Sequence, residues 1–182
     1  MRRSSLLLVC FFLLVTVGRA QDSRPAVERA GAAPSESQHA FDLSSVTGDM
    51  IAKFSEAWIA CRSGVGRVEA VVLILRDSNG SFKAELLPPS NEFMKFTFVW
   101  NRNTVAVAHT HPKNGSARPE PADIQLADRF GVPMFTLTLY GMYMYDPKTK
   151  KTTVVHDHLN WLQPSKWERY SRLAVDNQSA KH

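Results

Sequence analysis

Cysteine is scarce in this chain of 182 residues, which has only Cys10 and Cys61. Cys10 lies in the leading apolar run, so a processed chain keeps Cys61 alone. A lone cysteine cannot form an internal disulfide, and stability must then come from an apolar core or a metal. Long apolar runs are also lacking. The run from Leu6 to Val17 falls short of the roughly 20 residues that a bilayer core requires, and no later segment approaches it. Charge of one sign is not in large excess either. Three of the 22 basic residues (Arg2, Arg3 and Arg19) lie in the first twenty positions, leaving nineteen against 17 acids. No basic stripe alternates with aromatics, which excludes the usual nucleic-acid surfaces. Internal repeats are absent.

The first twenty residues have the layout of a secretory signal: Arg2 and Arg3 ahead of the apolar run, then Gly18-Arg19-Ala20 ending in a small residue. They predict a secreted or periplasmic protein with no membrane span after signal removal. Residues 21–40 are rich in Ala, Pro, Ser and charge without apolar period, and are expected to form a flexible leader. The remainder predicts one domain over 41–176 and a short tail, 177–182.

Within that domain, Val46, Met50, Phe54, Trp58 and Cys61 recur at helical spacing, with Ser44 or Ser45 as cap and Gly64 as stop. Val68 to Leu75 is a β-branched apolar run, and after the Ser78-Asn79-Gly80 turn Phe82 to Leu87 is its return strand. Phe93, Phe96, Phe98, Val99 and Trp100 suggest a third strand. In the next, Val105 to His111, alternation puts Val105, Val107, His109 and His111 on one face and Ala106, Ala108 and Thr110 on the other. Pro121 suits the first turn of a helix running to Phe130 and closed by Gly131. Strands over Met134–Tyr140, Met142–Asp146 and Thr152–Val155 follow, then a helix from Pro164 to Ala174. This order predicts an α+β single domain with a mixed, mainly antiparallel sheet flanked by helices.

His109-Thr110-His111 is the sharpest chemical feature. Residues two apart on a strand share a face, so their imidazoles can converge on a cation. Zinc takes such nitrogens at about 2.0–2.1 Å, with three protein ligands and one open position in catalytic sites. Asp123 stands in the first turn of the next helix, on the face shared with Ala127 and Phe130. A carboxylate pointing inward there needs a partner, because burying it alone costs several kcal/mol. Two half-exposed histidines and an acid placed for the helix dipole would give the same letters. Glu69 opens an otherwise apolar strand, either as an exposed strand end or as a general base. His39, His156, His158 and His182 read as exposed or structural, and Cys61 as a small buried apolar group.

Val-Glu-Ala-Val-Val-Leu-Ile-Leu (68–75), His109-Thr110-His111-Pro112 and Pro-Glu-Pro-Ala-Asp (119–123) together resemble the JAMM or MPN-plus metallopeptidase domain, also called JAB, most closely its secreted bacterial members. The resemblance covers roughly residues 45–147. It implies that His109, His111 and Asp123 hold Zn2+, and that Glu69 is the catalytic base that takes a proton from water. Three positions depart from the family pattern. Asp123 lies 12 positions after His111, one more than usual. Glu120 occupies the place of a serine that steadies the oxyanion, where an acid would oppose developing negative charge. Val72 replaces a glycine.

The resemblance implies a zinc-dependent metallohydrolase that cleaves an amide or isopeptide bond in a peptide or protein substrate, with a cell-envelope substrate fitting an exported enzyme. Glu120 motivates the alternative, a weak or inactive metal-stabilised binding module of the cell envelope. Ser116, Thr110 or a backbone amide would then have to serve the oxyanion in an active enzyme.

Overall fold

A computed structural model describes residues 41–66, 68–88, 96, 98–170 and 172 of the chain. The signal, the leader, the tail and Phe93 lie outside the described residues.

The domain is α+β, built on a six-stranded mixed sheet in the order β2-β1-β3-β4-β5-β6. The strands are β1 (Val71–Arg76), β2 (Phe82–Leu86), β3 (Thr104–Thr110), β4 (Met134–Thr138), β5 (Gly141–Asp146) and β6 (Lys151–Asp157). Among the described strands only β3 and β4 pair in parallel. A parallel pair needs a crossover connection, and here it is α2 (Pro121–Phe130). That connection carries the chain from the end of β3 back across the sheet, which positions the site.

Side-chain alternation divides the core in two. Val72, Ile74, Ala106, Ala108, Phe135 and Leu137 face α1 (Gly48–Ala60) and the carboxy-terminal Trp161 and Trp167. Val71, Leu73, Val107, Met134 and Tyr145 face the other way, toward Ala127 of α2. β1 is apolar on both faces because both are covered. α1 buries Met50, Ile51, Phe54, Ala57 and Trp58. Each large side chain among them contributes about 1.5–3 kcal/mol, far more than any propensity difference. Trp161 is fully buried, and its indole N–H donates to the Thr138 carbonyl at 3.2 Å.

Four expectations need correction. The cap of α1 is Thr47, whose hydroxyl accepts from Met50 N at 3.3 Å; Leu43–Ser45 form a separate 3-10 turn and Val46 precedes the helix. The first strand begins at Val71, three residues later than its apolar run suggests. Phe96 and Val99–Trp100 form no strand. The aromatic rings of Phe96, Phe98 and Trp100 pack as a ladder instead, Phe96 on Phe98 at 5.9 Å and Trp100 on Phe130 at 3.9 Å, against the second core, while Val99 is exposed. The last helix starts later than expected: Pro164–Lys166 form a 3-10 turn, and the α-helical residues described are 168–170 and 172.

α2 follows local rules closely. Pro121 occupies its first turn and Gly131, at φ 68°, ends it in the left-handed conformation. Among the described residues no helix is long and apolar enough to cross a membrane.

Candidate metal centre

His109 and His111 sit at the end of β3, on the face shared with Val107 and α2. Backbone pairing there is tight. Thr110 N–H donates to the Ala70 carbonyl at 3.0 Å, and Ala70 N–H donates to the Thr110 hydroxyl at 2.9 Å. On the other side His111 N–H donates to Leu137 O at 3.0 Å. Both histidine backbones are therefore held by neighbouring strands before any ligand is considered.

The two imidazoles converge. Their Nε2 atoms are 2.8 Å apart, and both rings are buried. Asp123, in the first turn of α2, brings its carboxylate between them: Oδ1 lies 3.2 Å from His109 Nε2 and Oδ2 lies 3.3 Å from His111 Nε2. All three ligand atoms lie within 4.8 Å of one another. Tetrahedral zinc would set neighbouring ligand atoms roughly 3.3 Å apart, which the two carboxylate separations match and the imidazole pair slightly undershoots. This buried group can hold a metal ion. The donor chemistry fits as well, since two imidazole nitrogens only 2.8 Å apart must share a proton unless a cation accepts both lone pairs.

Partners outside the cluster orient it. His111 Nδ1 lies 2.7 Å from the Ser116 carbonyl, so the proton sits on Nδ1 and Nε2 faces the carboxylate. Asp123 Oδ2 also accepts the Glu120 backbone N–H at 2.7 Å. His109 packs its ring against Phe96 at 4.9 Å, and its buried Nδ1 has no partner among the described residues. The loop after His111 is pinned where Lys113 N–H donates to the Gly64 carbonyl at 2.6 Å.

Electrostatics follow from this crowding. Burial works against the Asp123 carboxylate, but the nearby His109 charge, hydrogen bonds to both imidazoles and the Glu120 amide hold it well below the usual carboxylate range. Burial also opposes charge on His111, yet its bonds to Asp123 and the Ser116 carbonyl raise it overall.

Glu69 joins this face. Val71 pairs with His109, and extending that antiparallel register by two residues sets Glu69 opposite His111 with its side chain on the same side. Glu69 is buried, at 7% exposure, which removes the exposed-strand-end alternative. Burial pushes its carboxyl up, the charges of His109 and His111 pull it down, and Asp123 and Glu120 push it up again. A carboxyl raised in this way can exchange a proton nearer neutrality than an exposed one.

Glu120 is exposed at the start of α2. The two hydroxyls considered for the oxyanion are both engaged elsewhere. Ser116 donates to Arg118 O at 2.9 Å, and Thr110 lies on the opposite side of β3, bonded to Ala70. His156 is structural, buried against Trp167 and Tyr170, and His158 is exposed. Cys61 is buried, its thiol 3.1 Å from Trp58 O.

Three contributors to the centre escaped the sequence: the Ser116 carbonyl, the Gly64 carbonyl and Phe96. The first two act through the backbone, which leaves no residue-type signal. Phe96 read as a strand residue because aromatics alternate around it. No protein-family model, curated protein or solved structure matches this chain.

Proposed function

We propose that the protein is a secreted zinc-dependent hydrolase of an amide or isopeptide bond, related to the JAB metallopeptidases. His109, His111 and Asp123 are its metal ligands and Glu69 its general base. The observation that carries this reading is the meeting of four buried groups from three elements on one face: Glu69 just ahead of β1, both histidines at the end of β3, and Asp123 at the start of α2. The same residues carry the JAB resemblance, and a Glu, His-x-His and Asp in this order on strand, strand and helix support it. Zinc, when bound, supplies Lewis-acid polarisation of a carbonyl and acidifies water.

The chain's own residues do the rest. Glu69 accepts one proton from the attacking water and returns it to the leaving nitrogen, so that water adds across the broken C–N bond. Asp123 and the two imidazoles present lone pairs in an arrangement fixed by β3 and α2. The half-buried Phe96 ring packs on His109 and limits its access to water. Export directs the choice of substrate to a peptide of the cell envelope.

Glu69→Gln provides the test. The variant should keep its zinc, measured by elemental analysis, and lose hydrolysis of a peptide library, whereas His109→Ala should lose both. A parent protein purified under zinc-replete conditions without bound metal would sink the reading. The binding-module alternative is favoured by one observation, that the Ser116 and Thr110 hydroxyls, which could have replaced the family serine, are bonded elsewhere. A zinc-loaded parent inert toward every peptide would select it.

A further inference from the structure

The chain contains two Asn-Gly steps, Asn79-Gly80 and Asn114-Gly115. Such a step can modify itself, because glycine has no Cβ to keep its backbone nitrogen away from the preceding side chain. That nitrogen attacks Cγ of the asparagine. The new C–N bond closes a five-membered imide, and the side-chain NH2 leaves as ammonia with the glycine amide proton. Water then opens the imide. Opening at Cγ gives aspartate; opening at the asparagine backbone carbonyl gives isoaspartate, in which the chain runs on through Cβ and Cγ. One water is consumed and one ammonia released, with no redox change.

The fold treats the two steps differently. Asn79 lies in the turn between β1 and β2, and its Oδ1 accepts the Ser81 N–H at 2.9 Å. Asp77 Oδ1 accepts from Asn79 N at 3.1 Å and from Ser81 N at 2.9 Å, so side chain and backbone are both held. Asn114 is exposed, and its side-chain amide has no hydrogen-bond partner among the described residues. In each step the glycine N–H is engaged, Gly80 with Asp77 O at 3.2 Å and Gly115 with Pro112 O at 2.8 Å. Opening one such bond in an exposed turn slows attack by roughly tenfold or less, which delays the reaction without blocking it. The free side chain then favours Asn114.

The loop around Asn114 has little slack. Upstream, the Lys113 N–H is tied to the Gly64 carbonyl at 2.6 Å; downstream, the Ala117 carbonyl accepts the Thr136 hydroxyl at 3.3 Å. Between these anchors lie Asn114, Gly115 and Ser116, whose carbonyl is 2.7 Å from His111 Nδ1. Isoaspartate adds one backbone carbon to that stretch, about 1.5 Å of chain. With both ends fixed, the added length displaces Gly115 and Ser116.

We propose that Asn114 is a site of spontaneous conversion to isoaspartate, and that conversion detaches the Ser116 carbonyl from His111 and so ages the metal centre. The effect on zinc rests on the reading of His111 as a metal ligand; the modification itself does not.

Incubation of the full chain in mildly alkaline buffer tests this. Peptide mass spectrometry reads the exchange of NH2 for OH at each asparagine, and isoaspartyl methyltransferase labelling reads isoaspartate. Asn114 should convert ahead of Asn79. The isoaspartate-bearing protein should bind zinc about tenfold more weakly, the usual loss when an outer hydrogen bond to a ligand is removed. NMR of the same protein without zinc should show that His111 has lost its fixed proton at Nδ1. Asn114→Gln, whose longer side chain disfavours ring closure, should keep both properties through the same incubation. Asn114→Asp, which carries the charge but no added backbone atom, should bind zinc like the fresh parent. Asn114 is exposed, so both variants will fold. An Asn114 that stays intact, or converts no faster than Asn79, would overturn the proposal, as would isoaspartate-bearing protein with an unchanged His111 signal. Loss of that signal in a protein that never binds zinc would uphold it and sink the metal reading alone.

Discussion

The Nδ1 of His111 stands 2.7 Å from the carbonyl oxygen of Ser116. That contact places a proton on Nδ1 and turns Nε2 toward Asp123 and His109, where a bound metal would take its lone pair. Nitrogen-resolved NMR of the protein should therefore show His111 protonated at Nδ1. Purified protein should carry about one zinc per chain, and His111→Ala or Asp123→Ala should reduce this to background. Removing the metal with a chelator should lower the melting temperature of the parent and leave that of Asp123→Ala unmoved, because only the parent has binding energy to lose. A parent melt indifferent to chelation would count against a metal.

Glu120→Ser restores the residue type the JAB resemblance expects. Glu120 is exposed at the N-cap of α2, a position that serine also suits, and its backbone N–H bond to Asp123 is kept, so stability should change by less than about 0.5 kcal/mol. Hydrolysis should stay within about threefold of the parent or rise modestly, as a nearby negative charge is removed from the transition state. Activity arising only in the variant would mean instead that Glu120 blocks the open metal position.

Gly64 holds φ at +78°, and a Cβ there would meet the Trp58 ring at 2.8 Å. Gly64→Ala should therefore cost about 2–4 kcal/mol, from the left-handed backbone and the overpacked ring together. Because the Gly64 carbonyl anchors Lys113, zinc affinity should fall as well. A denaturant titration and a competition assay would check the two effects separately. An unchanged denaturation midpoint would contradict the packing argument.

His156 gives the fold a pH dependence outside the metal cluster. Burial first, and the Arg169 charge second, push it down to about 4, while Asp157 opposes them weakly. Its ring packs on Trp167 and Tyr170, and its Nε2 is buried without a partner among the described residues. Above about pH 6.5 both folded and unfolded chains hold it neutral, and its contribution is complete. As pH falls from there toward 4, the unfolded chain takes up a proton that the folded chain refuses, and up to about 3 kcal/mol is lost. Denaturation at pH 7, 5.5 and 4.5 should show His156→Leu losing less stability over this interval than the parent. Parallel slopes for the two proteins would refute the assignment.

Much of the region around the site is legible in the chain, for local reasons. The bounds of α2 follow from Pro121 and Gly131, whose backbone preferences need no tertiary help. The shared face of His109 and His111 follows from strand alternation, and the inward carboxylate of Asp123 from helix periodicity with Ala127. Where expectation failed, long-range packing had overruled a local pattern. Aromatic alternation at Phe96, Phe98 and Trp100 suited a strand. Those rings gain more by stacking on one another and on Phe130 than their backbone would gain at a sheet whose edge β2 already occupies.

By itself, then, the sequence determined residue types and faces: which side of β3 carries imidazole, which side of α2 carries carboxylate, and that one acid stands within an apolar strand region. The tertiary structure decided their meeting. Because β3 and β4 pair in parallel, α2 must cross back over the sheet and set its first turn against the end of β3, bringing Asp123 to 3.2 Å from His109. The antiparallel pairing of β1 with β3 decides that Glu69 lies opposite His111. Such distances depend on register and crossover between segments far apart in the chain, and no local preference encodes them.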